Sequence, residues 1–293
     1  MAKKDILSVL PKVHDLKMED SIKTADLAWQ VQQEKIGGME TGREVVGRKA
    51  LFTSDDRFLG DVGENYSPSN PKDFVSELYS LAEFAGFPVG RLGFVESRSQ
   101  MVGLIDCKPI SINNDRLNVG IMVSDGFDGF TALNYKAIII REICSNGMVS
   151  KSILNTARAK HSLNFETKKE KLFKHICDNM QNWLNRLEEK FIKLHKTPFD
   201  QKKMGDLMEK LFPLDEDGER STRSQNIAEQ ISFLFGSGTG NSGKTAWDAL
   251  NAFTEYETHF KSYKNTQGNS SEVNQFTAFS NGKLITDKVL ALL

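Results

Sequence analysis

Gly238, four further residues and then Gly243-Lys244-Thr245 fill every fixed position of the phosphate-cradling pattern G-x-x-x-x-G-K-[ST], within "FGSGTGNSGKTAWDALNAF". That chemistry needs a buried parallel strand entering the loop and a helix leaving it, so that backbone N–H groups and the lysine converge on a triphosphate. The preceding segment, "TRSQNIAEQISFLFG", instead carries Ile227, Ile231 and Leu234-Phe235 at helical spacing, with Thr222 or Ser224 as cap and Gly236 as stop. A helix entering the loop has the wrong geometry. The chain after Thr245 also holds no apolar strand ending in aspartate that could position magnesium. The motif therefore reads as a glycine linker that caps the next helix at Thr245, with P-loop nucleotide binding as the lesser reading.

Two other groups of residues could do chemistry. Arg141 interrupts the apolar run "AIIIREIC", where a guanidinium needs a carboxylate or phosphate partner. Arg91, Arg98, Lys108 and Lys136 lie on or beside other expected strands, interleaved with Phe94, Phe127, Phe130 and Tyr135. Cations that follow phosphates and rings that stack bases are the requirements of single-stranded DNA binding without covalent chemistry. The second group is Asp106-Cys107-Lys108, a D-x-K arrangement at a strand end, together with Asp125, Asp128 and Glu142. Those carboxylates would suit a metal-dependent nuclease, although Asp125 and Asp128 also suit turns that bond their own backbone. Binding without catalysis is the preferred reading, and no cofactor is expected.

Composition narrows the field further. The 293 residues are 39% hydrophobic and 26% charged with a net charge of -1, so a nucleic-acid partner would have to meet a local basic patch. No run has the length of a membrane helix and Met1 to Leu10 lacks a signal-peptide core, which predicts a cytoplasmic protein. Cys107, Cys144 and Cys177 are scattered and odd in number, as reduced thiols are. His14, His161, His175, His195 and His259 form no H-x-x-x-H pair, so no structural metal is expected.

The elements that must position these residues divide the chain in three. Residues 1–60, with Gly37-Gly38, Gly42 and Gly47, read as loops and hairpins. Residues 61–150 read as an α+β core. A helix starts at Pro71, with Asn70 as N-cap, Phe74, Leu78, Leu81 and Phe84-Ala85 on one face, and Gly86 as stop. Three or four closely spaced strands follow in "GRLGFVESRSQMVGLIDCK", "DRLNVGIMVSDGFDG" and "TALNYKAIIIREICSNG", leaving no room for crossover helices and so predicting an antiparallel meander. Residues 151–293 read as helical. Leu172, Ile176, Met180, Trp183, Leu187, Phe191 and Leu194 mark one long amphipathic helix that either packs on its own domain or mediates homo-oligomerisation, and it ends at Thr197-Pro198, which caps the next helix. The helix after Thr245 places Asn251 and Glu255 at i,i+4, as a buried pair or part of a polar site.

"TAWDALNAFTEYETH" resembles the C-terminal signature of a phage- and plasmid-encoded family, domain of unknown function 932. Tyr66, Pro68 and Asn70 resemble its segment before the first core helix. Asp128, Gly129, Arg141, Cys144 and Asn146 resemble its Asp-Gly turn and the strand ending Arg-x-x-Cys-x-Asn. The similarity runs from about Val62 to Leu293. Asp125-Gly126-Phe127 stands where family members often carry Asn-Ser-His, so that histidine's role does not transfer. What the resemblance implies is a setting of mobile elements, replication and recombination. The order helix, antiparallel meander, long helix is also similar to phage single-strand annealing proteins, which implies single-stranded DNA and a homo-oligomer as partners.

Overall fold

The computed structural model describes residues 7–24, 27–95, 99–112, 115–142, 147–150, 157–214, 220–265, 270–280 and 285–293. The fold is α+β with antiparallel strand pairing throughout, as the short strand spacing predicts. Helix α1 (Met18–Thr24) precedes a three-stranded sheet of β1 (Val31–Gly37), β2 (Glu44–Thr53) and β3 (Phe58–Gly63). The glycine-rich start of the chain thus builds a sheet of its own. Helix α2 (Pro71–Ala85) begins and stops where Pro71 and Gly86 require, but the Asn70 side chain makes no helix cap. Its Oδ1 accepts instead from the Val31 N–H at 2.9 Å, pinning the small sheet to the start of α2.

The large sheet contains β4 (Val89–Val95), β5 (Gln100–Asp106), β6 (Ile110–Ile112), β7 (Asp115–Gly126), β8 (Leu133–Arg141), β9 (Gly147–Ser150) and β10 (Ala157–Ala159). Its order is β10-β8-β7-β5-β4, with β6 folded back on β7 and β9 on β8. Successive side chains point to opposite faces, and both faces are covered over most of their length, which is why the central strands read as almost continuous apolar runs. On the first face Leu92, Met101, Ile121, Val123 and Ile139 join a core shared with α2 and the later helices. On the second face Val95, Val102, Leu104, Met122 and Ile138 pack against Leu10, Phe276 and Phe279.

The helical part consists of α3 (Phe165–Lys196), α4 (Gln201–Leu211), α5 (Thr222–Ser237), α6 (Ala246–Glu255), α7 (Ser271–Ser280) and α8 (Ile285–Leu292). At 32 residues α3 is about 48 Å long. Its stripe of Ile176, Met180, Trp183, Leu187, Phe191 and Leu194 is buried within the chain, against α2, β6, β10 and α6. Packing on its own domain is therefore what the stripe does. The caps shift slightly from the expected residues. Asp200, rather than Thr197-Pro198, caps α4, and Ser221 caps α5, which continues past Gly236 to Ser237. A single π-helical turn, Tyr256–Phe260, follows α6 and aims the buried Glu257 carboxylate at the start of α8. It accepts there from the N–H groups of Ile285 (2.8 Å) and Thr286 (3.0 Å) and from the Thr286 hydroxyl (2.8 Å). No helix among the described residues is long and apolar enough to cross a membrane.

Gly60 of β3 lies so close to the turn after β7 that a Cβ there would fall on the carbonyl oxygen of Asp128. Backbone cannot yield as a flexible side chain can. Gly60→Ala is expected to lower stability by about 1–3 kcal/mol, measured as a shifted midpoint in urea unfolding with secondary structure retained.

Candidate functional site

Strand β7 carries an aspartate near each end, Asp115 and Asp125, about 33 Å apart at 3.3 Å per residue. Each anchors a buried polar cluster. At the Asp115 end the arginine of the apolar run finds the carboxylate it requires: Arg141 Nε donates to Asp115 Oδ2 at 2.6 Å, with both side chains almost fully buried. The same oxygen accepts from the Trp247 indole at 2.8 Å. Arg141 Nη1 donates to the Thr239 carbonyl (2.8 Å) and to Asn241 Oδ1 (3.3 Å), and Nη2 donates to the Gly240 carbonyl (3.2 Å). The guanidinium also lies over the Trp247 ring, and His195 stacks on that indole at 4.5 Å.

This geometry explains the phosphate-loop motif. Segment 222–237 is helix α5, and the loop that follows lies between Arg141 on its carbonyl side and carboxylates on its amide side. Glu255 accepts from the Thr239 N–H at 3.1 Å and from its hydroxyl at 3.2 Å. Asp248 Oδ2 accepts from the N–H groups of Lys244 (3.0 Å) and Thr245 (3.1 Å) and from Ser242 Oγ (2.8 Å). The N–H groups of Thr239, Lys244 and Thr245 thus serve the protein's own carboxylates. Thr245 completes a capping box with Asp248, as a helix N-cap should. Asn251 does not pair with Glu255. Its amide donates to the Trp247 carbonyl at 3.0 Å, and among the described residues neither its Oδ1 nor Asp115 Oδ1 has a hydrogen-bond partner.

At the other end, Asp125 Oδ1 faces His161 Nε2 at 2.7 Å while Oδ2 accepts from Ser69 Oγ at 2.7 Å. His161 Nδ1 lies 3.1 Å from the Ser67 carbonyl oxygen. Both ring nitrogens thus face oxygen atoms, one of a carboxylate and one of a backbone carbonyl. Phe165 stacks on the imidazole at 4.1 Å and Tyr66 packs beside it. Burial, with Asp125 nearby, pushes the Tyr66 hydroxyl far above the usual phenol range. Below this group Tyr135 donates to Glu77, whose second oxygen lies 3.5 Å from Lys169 Nζ. Burial raises the Glu77 carboxyl, and the contacts with Tyr135 and Lys169 oppose that rise. Ser69 bonds the carboxylate and not the imidazole, so the serine–histidine contact of a nucleophile and its base is not made here.

The other sequence-selected residues are scattered. Arg91 Nη1 donates to the carbonyls of Leu7 (2.9 Å) and Leu10 (3.1 Å), holding the chain's start against β4. Lys136 is half-buried on the second face, and the Tyr135 ring is fully buried on the first. Lys108 is exposed and lines a cavity beside α3, away from Asp106, so the D-x-K letters do not gather into one site. Asp128 closes its own turn by accepting from the N–H groups of Phe130 (2.9 Å) and Thr131 (3.2 Å). Glu142 pairs with Arg116 at 3.1 Å. Arg98, Asn146 and Cys144 lie outside the described residues. Cys107 is buried, with its thiol pushed up to about 12 by desolvation and by Asp106, while Cys177 is half-buried, and both are free. Among the described residues no three His, Cys, Asp or Glu side chains gather as metal ligands.

What remains open to solvent at the Asp125 end is a different set. Phe130 is 78% exposed on its Asp128-closed turn, and Leu163 is exposed nearby in sequence to His161. Outer strand β10 presents Arg158 to solvent, and Lys160 just after it is exposed too; Arg158 lies opposite Asn134 in register, at the same end of β8 as Phe130. Sequence reading missed His161, Ser69, Glu77, Arg158 and Lys160. A signal existed for Glu77, a charge at a core-facing position of α2 one turn from Phe74 and Leu81. His161 meets Asp125 only through the β8–β10 pairing, which local pattern does not report.

Burial holds the His195 imidazole below its ordinary range, opposed by its bond to the Phe191 carbonyl. As pH falls through about 6.5 the unfolded chain therefore takes up a proton that folded His195 resists, and stability declines. His195→Phe, which keeps a ring against Trp247, is expected to flatten that decline between about pH 6.5 and 5, read from urea unfolding across pH.

No curated protein and no solved structure matches the chain. A family model described as domain of unknown function (DUF932) matches residues 58–279. That span runs from β3 to α7 and includes both aspartates of β7, the Arg141 tie and the α6 helix. By that match, the chain belongs to the DUF932 family.

Proposed function

We propose that the protein binds single-stranded DNA without covalent chemistry, through the Phe130 turn and the β10 edge. The reading rests on one observation: a largely exposed aromatic ring on an Asx turn, at the same end of β8 as the exposed Arg158 and Lys160. A base stacks on a ring whose face is open and whose backbone is already ordered, and neighbouring cations follow the phosphates. The net charge of -1 confines such an interface to a local patch of this kind. Arg141, Arg91 and Tyr135, which the sequence suggests for this task, are engaged in holding the fold. The setting that goes with this reading is recombination or replication of phage or plasmid DNA in a bacterial cytoplasm, with several copies of the chain assembling on the strand.

A metal-dependent nuclease is the second reading, favoured by Asp106 and Glu142 lining one cavity. Gel shift with labelled oligonucleotides across salt, with and without magnesium, separates the two. Intact, salt-sensitive complexes with single strands support binding, and magnesium-dependent cleavage supports the nuclease. Phe130→Ala is expected to weaken binding by about 1–3 kcal/mol. Neutralising Arg158 or Lys160 should lower the slope of log K against log salt by about 0.7 each. Unchanged affinity in all three variants would remove the interface.

A further inference from the structure

The second face of the large sheet is not covered along its whole length. Between the segment starting at Leu7 and the far ends of β7 and β8 it leaves a cleft of about 400 Å³, lined by Arg91, Asp106, Asn118, Gly120, Ile138 and Ile140, with Arg141 and Glu142 at its margin. Sites of this volume hold small molecules. The charges around it cancel, two arginines against two carboxylates, so the field does not select a strongly charged ligand. Most of those groups have internal work: Arg91 holds the Leu7 and Leu10 carbonyls, Arg141 holds Asp115, and Glu142 holds Arg116.

Asp106 and Asn118 differ from the rest. Both are exposed to solvent at the mouth of the cleft, and among the described residues neither side chain is engaged in a hydrogen bond, the charges acting on Asp106 being those of His14 and Arg91. The Asp106 carboxylate lies over Gly90, where a Cβ would fall on it, so the bare backbone of β4 makes room for this group. Asp106 stands opposite Gly120 in the β5–β7 register, which places Asn118 diagonally across from it on the same face, about 7–8 Å away between backbones. Gly120, Ile138 and Ile140 provide an apolar floor beneath the two.

We propose that this cleft binds a neutral, flat heterocycle that offers two adjacent N–H donors to the Asp106 carboxylate and an oxygen to the Asn118 amide, the edge that guanine presents. A carboxylate accepts two parallel N–H bonds, and an amide N–H₂ donates to a carbonyl oxygen beside them. Adenine and cytosine lack the paired donors. The site lies at the opposite end of β7 and β8 from Phe130, so it stands or falls independently of the single-strand interface.

The test is calorimetric titration of the full-length protein with guanosine, inosine and adenosine. Guanosine is expected to bind, inosine, which lacks the 2-amino group, to bind more weakly, and adenosine not to bind. Asp106→Asn keeps the side-chain shape and should lower guanosine affinity by about tenfold or more with an unchanged melting temperature. Asn118→Ala should also weaken guanosine, and Phe130→Ala should leave it unaffected. Absence of guanosine binding at millimolar concentration, equal binding of adenosine, or full affinity in both Asp106→Asn and Asn118→Ala would overturn the proposal.

Discussion

A guanidinium buried at the end of an apolar strand must be paired, because an isolated charge there costs far more than any single contact returns. Arg141 is in that position, and much of the C-terminal architecture follows from how it is satisfied. Its Nε reaches Asp115 on the neighbouring strand, and its remaining N–H groups reach the carbonyls and amide of the 239–241 loop. Trp247 adds its indole N–H to the same carboxylate oxygen. One buried charge pair thereby joins the ends of two central strands of an antiparallel sheet to the 239–241 loop and the helix α6 that follows it. Removing either partner would leave the other buried and uncompensated, which is where such pairs exert their largest effect.

The second aspartate of β7 plays a comparable part with different chemistry. Asp125 gathers Ser69 from the approach to α2 and His161 from the exit of β10, and Phe165 at the start of α3 closes over the imidazole. The two clusters fasten the helices to opposite ends of one strand. The groups that look most chemical in the sequence are consequently the ones most occupied with each other. The surfaces that these clusters hold rigid but do not use, the Phe130 turn with the β10 edge and the cleft around Asp106, are the ones proposed for binding.

Local regularities were legible because they have local causes. The apolar runs of β5, β7 and β8, the 3.6-residue stripe of α3, and Pro71 and Gly86 around α2 each reflect backbone sterics and the faces an element buries. Caps were less legible. Asn70 has the right residue type and position, yet its oxygen is claimed by the Val31 N–H, and Asp200 displaces Thr197-Pro198 at α4. The fate of the nearer capping residue depends on which backbone donor arrives from elsewhere in the chain.

The phosphate-loop letters show where the boundary lies. That the segment before Gly238 coils was decided by the spacing of Ile227, Ile231 and Leu234, and that Arg141 needs an anionic or polar partner was decided by its apolar neighbours. Which partner it takes was a matter for the tertiary structure alone, since Asp115 is 26 residues away and becomes adjacent only through the β7–β8 register. The same holds for His161 and Asp125, 36 residues apart. Periodicity records which face of an element avoids water; the pairing of buried charges is set by the folding of distant strands onto one another, and the linear order of residues carries no comparable signal for it.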